Sequence, residues 1–205
     1  MTYAFAPNNL NYINCDRCFY LKYKHKIDYA GGFPQIFNDL DIRQKDYFIN
    51  KTTSFISNKL PSGKFYKTVT KKERGIRKKN SEAEFKDLEI PGSVKSKELL
   101  DNKKRKFVLA GKPDLVVKFK KDWGVLDFKT TGREDKTDKY KHQLEAYAQI
   151  FEFPNEETPK LFPISHMGLI QFTPAEIISN EKNSITQIMD MNYYPLNRDV
   201  NDFYT

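Results

Sequence analysis

The sequence predicts one mixed domain of helices and strands, an α/β (α+β) fold over residues 1–205, and three observations carry this expectation. Two long helical patterns occupy the first third of the chain. Two runs of strand-forming residues form a hairpin near its middle. A well-patterned helix follows the hairpin, and two more strand-like runs come after it. A chain of 205 residues is long enough to bury a substantial core. No internal repeat is visible.

Pro7, Asn8 and Asn9 read as a helix start, and Leu10, Ile13, Arg17 and Leu21 then recur at helical spacing. This helix should stop before Gly31–Gly32. Its basic end, KYKHK, fits either a phosphate backbone or a solvated helix terminus. A second helix is expected from about Gln35 to Leu60, with Phe37, Leu40, Gln44, Phe48, Phe55 and Leu60 facing inward. Asp41 falls on or beside that stripe. There it is either an edge residue reaching water or a buried carboxylate that needs a cation.

The stretch from 61 to 106 reads as basic and partly irregular. Lys71, Lys72, Arg74, Arg77, Lys78 and Lys79 cluster around Gly75, and Lys103, Lys104, Arg105 and Lys106 precede the hairpin. Such runs mark a solvated face or loop, or hold a nucleic-acid strand through its phosphates.

The hairpin joins Asp114–Phe119 to Gly124–Phe128 across a polar turn at Lys120–Trp123. Side chains repeat every two residues on a strand, so Asp127 and Lys129 share a face. A turn centred on Lys120–Lys121 sets Asp114 opposite Asp127. A turn centred on Asp122–Trp123 sets it opposite position 131 and diagonal to Lys129. Either register keeps the three groups together. Paired carboxylates at cross-strand distance suit a hard divalent cation, and a neighbouring lysine suits water activation or charge stabilisation. The plainer reading is a surface hairpin with an Asp–Lys pair.

Beyond the hairpin, TTGREDKTD is a polar connection with Thr137 or Asp138 as N-cap. A helix from about Lys139 to Phe151 carries Tyr140, Leu144, Tyr147 and Phe151 as its apolar stripe. Gln143 and Tyr147, four apart, share a face. Residues His166–Phe172 and Ser184–Tyr194 read as strands, the second irregular, and DVNDFYT resembles the opening of a helix.

The net charge of +8 and pI near 9.2 favour a polyanionic partner, nucleic acid first, unless the lysines merely reflect AT-rich coding. The N-terminus shows no basic segment followed by an apolar one, and no run approaches the ~18 apolar residues of a membrane span. A cytoplasmic protein without membrane association is expected. Cys15 and Cys18 form a CxxC, but His25, His142 and His166 are scattered and no βαβ pattern is evident. Packed thiols on a helix are therefore expected, rather than half of a zinc site or a redox pair.

In order, the motifs are GxxD at Gly111–Asp114, DxK at Asp127–Lys129 and QxxxY at Gln143–Tyr147. This arrangement resembles the PD-(D/E)XK nuclease superfamily, specifically the RecB-like branch that includes the CRISPR-associated RecB-like exonucleases. The match is clear over Gly111–Glu152 and weaker over Asn8–Phe48, where CDRCFYLKYK is similar to the branch's opening helix. The resemblance implies a restriction-endonuclease-like core, a mixed β-sheet flanked by helices. It implies that Asp114 and Asp127 coordinate Mg²⁺ or Mn²⁺, with the Phe128 backbone carbonyl completing the shell. It further implies that Lys129 assists the attacking water and that Gln143 and Tyr147 position the scissile strand or the lysine. The branch usually places a metal-binding histidine on its second helix. None occurs between Gln35 and Leu60, and Asp41 is the candidate substitute.

Two departures stand out. Iron–sulfur members of the branch use four cysteines, three near the C-terminus, so Cys15 and Cys18 alone do not support a cluster. A cysteine-bearing tail missing beyond Thr205 is one expectation that follows. Asp16 also replaces the usual proline.

The resulting expectation is a metal-dependent nuclease hydrolysing DNA, single- or double-stranded, in repair, processing or defence. One alternative is a nucleic-acid-binding module with weak or no cleavage. Another is a subunit of a DNA-processing complex whose basic loops meet protein partners.

Overall fold

A computed structural model describes residues 3–7, 15–27, 35–49, 51–69, 90–132, 137–179 and 184–204. The expected mixed β-sheet flanked by helices is present. In the larger sheet, the six strands run in the order β10 (Ile185–Leu196), β9 (Ile164–Ser179), β8 (Trp123–Thr130), β7 (Leu115–Phe119), β2 (Gly63–Val69) and β3 (Ile90–Pro91). A smaller sheet joins β1 (Tyr3–Phe5), β6 (Lys106–Gly111) and β4 (Val94–Lys95), with β5 (Leu99–Leu100) also on β6. The helices are α1 (Asp16–His25), α2 (Gln35–Phe48), α3 (Lys141–Glu152) and the short α4 (Val200–Phe203).

Strand alternation divides the core in two. On β7 and β8, Leu115, Val117, Phe119, Leu126 and Phe128 point to one face, where Phe48 of α2 meets them. Val116 and Val125 point to the other, against Leu144, Tyr147, Ile150 and Phe151 of α3. Each element therefore has one apolar side to bury, and the sheet lies between α2 and α3. Strands β8 and β9 are parallel, and α3 is the chain that crosses between them. This is a βαβ unit that the sequence did not reveal, because polar segments on both sides of α3 separate it from its strands.

Several boundaries differ from expectation. Helix α1 begins after an N-cap at Cys15 and ends with Lys26 in the left-handed conformation at φ 59. Residues 8–14 lie outside the described residues. Helix α2 stops at Phe48 instead of near Leu60, and a 3-10 turn follows at Thr53–Phe55. The reason lies in KTTS, whose hydroxyls compete for backbone groups. Thr53 Oγ1 donates to the Pro61 carbonyl at 2.5 Å and accepts from Gly63 N–H at 2.8 Å. Phe55, expected inside, is 45% exposed. The stretch from 61 to 106 supplies β2 to β5, most of them too short to display alternation. Helix α3 has no side-chain cap from Thr137 or Asp138; a 3-10 turn at Thr137–Tyr140 leads into it.

Cys15 and Cys18 are not packed thiols: they form a disulfide, with Cys18 exposed. The cap and first-turn positions bring their Cα atoms to 5.3 Å, within reach of a bridge.

Candidate active site

The hairpin adopts the first of the two registers. Leu115 pairs with Leu126 and Lys118 with Trp123, and Phe119 N–H donates to the Asp122 carbonyl at 2.9 Å. The turn is thus centred on Lys120–Lys121, and the ladder continued one step sets Asp114 opposite Asp127. Alternation then turns Asp127 and Lys129 toward α3.

Asp127 is 3% exposed. Gln143, on the buried face of α3, donates its amide to Asp127 Oδ1 at 3.0 Å. The Lys129 ammonium lies 2.5 Å from Asp127 Oδ2, a close ion pair inside the site. Burial, and then the charge on Asp114, push the Asp127 carboxyl up to about 7. For Lys129, burial alone would favour the neutral amine, but Asp127 and Asp114 outweigh it and hold the ammonium above its ordinary pKa. The same ammonium sits 4.7 Å from the centre of the Tyr140 ring, a cation–π contact at the start of α3.

Asp114 joins the two layers. Its Oδ2 accepts from Phe128 N–H at 2.9 Å and its Oδ1 meets Lys45 Nζ at 2.8 Å. Lys45 also reaches Asp41 Oδ2, one helical turn earlier, at 2.7 Å. Asp41 therefore approaches the site across Lys45. Burial and Asp114 raise the Asp41 carboxyl above its usual range against the pull of Lys45. Two contacts fix this end of α2. Gln44 donates to Thr130 Oγ1 at 3.3 Å, and Phe48 lies 5.4 Å from Phe128, ring centre to ring centre.

Among the described residues, no group of three or more acidic, histidine or cysteine side chains is assembled for a metal. The fit rests on the chemistry of the donors, the Asp114 and Asp127 carboxylates and the Phe128 carbonyl beside them, an all-oxygen set appropriate to Mg²⁺ or Mn²⁺.

The structure brings Asp41, Asp114, Asp127, Phe128, Lys129 and Gln143 to one place. Tyr147 joins them: its oxygen is hydrogen-bonded with Gln143, and its hydroxyl donates to the Lys112 carbonyl at 2.9 Å, bracing the backbone just before Asp114. Gly111 is needed there, because a Cβ would fall 2.7 Å from Pro7 Cδ and 2.9 Å from Tyr147 Cε1. Lys71, Lys72, Arg74, Arg77, Lys78 and Lys79 lie outside the described residues. In the second basic cluster, Arg105 is bound to Asp101 and Lys106 to Glu98. Sequence reasoning passed over Lys45 and read Tyr140 only as part of an apolar stripe. The i, i+4 spacing of Asp41 and Lys45 could have flagged the first.

A family model for the PD-(D/E)XK nuclease superfamily matches residues 44–160, a span that includes the hairpin, Gln143 and Tyr147. The chain belongs to this superfamily, whose members are nucleases that generally use divalent metals. No curated protein matches the chain. Among solved structures, the crystal structure of SSO0001 aligns with 98% of this chain and 70% of that one, at 15% identity and a TM-score of 0.41. No helix among the described residues is long and apolar enough to cross a membrane.

Proposed function

We propose that this protein is a divalent-metal-dependent nuclease of the RecB-like branch that hydrolyses DNA phosphodiester bonds. The observation that carries the reading is the buried Asp127, held by Gln143 and Lys129 directly across the hairpin from Asp114. Asp114, Asp127 and the Phe128 carbonyl hold Mg²⁺ or Mn²⁺. When bound, the ion supplies positive charge beside the scissile phosphate and acidity to the attacking water.

The chain's own groups do the rest. Gln143 fixes Asp127 through Oδ1 and leaves Oδ2 directed into the site. The Lys129 ammonium, steadied over the Tyr140 ring, orients water and offsets charge that develops on the phosphate oxygens. Hydrolysis forms one bond from water oxygen to phosphorus and breaks one phosphorus–oxygen ester bond. Tyr147 keeps the Lys112–Asp114 backbone in place, and Asp41 holds Lys45. The basic cluster from Lys71 to Lys79 is assigned to phosphate contacts along the strand.

The test incubates labelled single- and double-stranded DNA, with RNA beside them, in Mg²⁺ or Mn²⁺. Wild type is compared with Asp127→Ala and Lys129→Ala. Metal-dependent cleavage lost in both variants is the expected result. Cleavage surviving in both overturns the site. Tight binding without cleavage in either metal replaces the reading with a nucleic-acid-binding module.

A further inference from the structure

One closely held cation beside the site is not used by the proposed cleavage reaction. Lys45 stands between Asp41 and Asp114 at 2.7 and 2.8 Å, and its side chain is only 15% exposed. A lysine normally keeps its ammonium in water, since burying it forfeits hydration and rotamer freedom. Here the helix that carries it is pinned on both sides of the residue. Gln44 is tied to Thr130, one position past Lys129, and Phe48 is set among the rings of Phe65, Phe128 and Phe172. The ammonium is therefore a fixed charge at a fixed place.

We propose that Lys45 is a built-in second cation of the centre, so that the site takes a single divalent ion per chain. Centres with two ions keep them about 3.5–4 Å apart and share a carboxylate between them. The carboxylate placed to be shared is Asp114, and its Oδ1 already carries Lys45. Charge balance points the same way. With all three carboxylates ionised, as a bound cation favours, Asp41, Asp114 and Asp127 face the ammonium groups of Lys45 and Lys129, which leaves one negative charge. One dication makes the centre singly positive, which matches one phosphodiester. A second dication would have to enter beside two ammonium groups, against strong repulsion. Lys45 is thus a positioning residue that holds Asp114 and excludes an ion.

This inference rests on the metal-dependent reading above, and metal binding without substrate separates the two. The experiment titrates the purified chain with Mn²⁺, following free ion by electron paramagnetic resonance and heat by calorimetry. Wild type is expected to take one Mn²⁺. Lys45→Ala is expected to take two, with a spin-coupled signal, and to bind the first roughly tenfold tighter because a neighbouring positive charge is gone. Adding Asp41→Asn to Lys45→Ala should return the count to one. Two ions in wild type overturn the inference and leave the metal-dependent reading standing. So does one ion in Lys45→Ala with unchanged affinity. Failure of wild type to bind Mn²⁺ overturns both. The wild-type count needs no variant, so it decides the matter even if Lys45→Ala does not fold.

Discussion

Gln143 on α3 donates its amide to Asp127 Oδ1 at 3.0 Å, linking the crossover helix to the strand before it inside a fully buried contact. One side of the carboxylate is thereby satisfied by a neutral group, and the other remains directed at Lys129.

Replacing Gln143 by alanine should leave Asp127 Oδ1 buried without a donor, at a cost of about 1–3 kcal/mol. The expected outcome is a lower unfolding midpoint in urea and cleavage slowed about tenfold or more. A rate and midpoint both equal to wild type would show that this hydrogen bond positions nothing.

Arg198 clamps the outer side of α3. Its guanidinium meets Glu145 at 2.6 Å, Glu152 at 2.7 Å and the Ile164 carbonyl at 2.7 Å, and both acids are buried. Arg198→Met should leave two buried carboxylates uncompensated, and losses of about 3–5 kcal/mol follow from breaking such a network. Urea unfolding checks this. Adding Glu145→Gln and Glu152→Gln to Arg198→Met is expected to recover a large part of the loss.

Asp199 caps α4. The Asp202 N–H at 3.1 Å, and then Lys141 at 3.0 Å, hold its carboxyl below the usual range. A carboxyl lowered in the folded state binds protons less readily there than in the unfolded chain. Its contribution is thus complete above about pH 4 and is lost as pH falls through the folded value. Amide exchange at Asp202 and Phe203, corrected for intrinsic rates, should be unchanged from about pH 8 to 5 and lose protection below about pH 4. Protection that persists at about pH 2 would contradict the cap.

Much of the site was legible from local pattern. The two-residue repeat places Asp127 and Lys129 on one face, and the four-residue spacing places Gln143 and Tyr147 on one side of α3. The Asp114–Asp127 pairing was narrowed to two registers. The contacts of Lys45 were not legible, because an i, i+4 pair on α2 says nothing about which strand that helix will cover. The ends of the elements were also hidden. Threonine hydroxyls closed α2 early, and two-residue strands carry no periodicity to detect.

The sequence by itself determined the chemistry: two aspartates and a lysine on a hairpin, a glutamine and a tyrosine on the next helix, and the family to which they belong. These follow from short-range geometry, which the backbone imposes whatever its surroundings. Only the tertiary structure decided how those groups are satisfied. It set the crossover that aims Gln143 at Asp127, turned Tyr147 to the Lys112 carbonyl and brought Lys45 between Asp41 and Asp114. Burial makes those contacts consequential, and burial depends on segments distant in the chain.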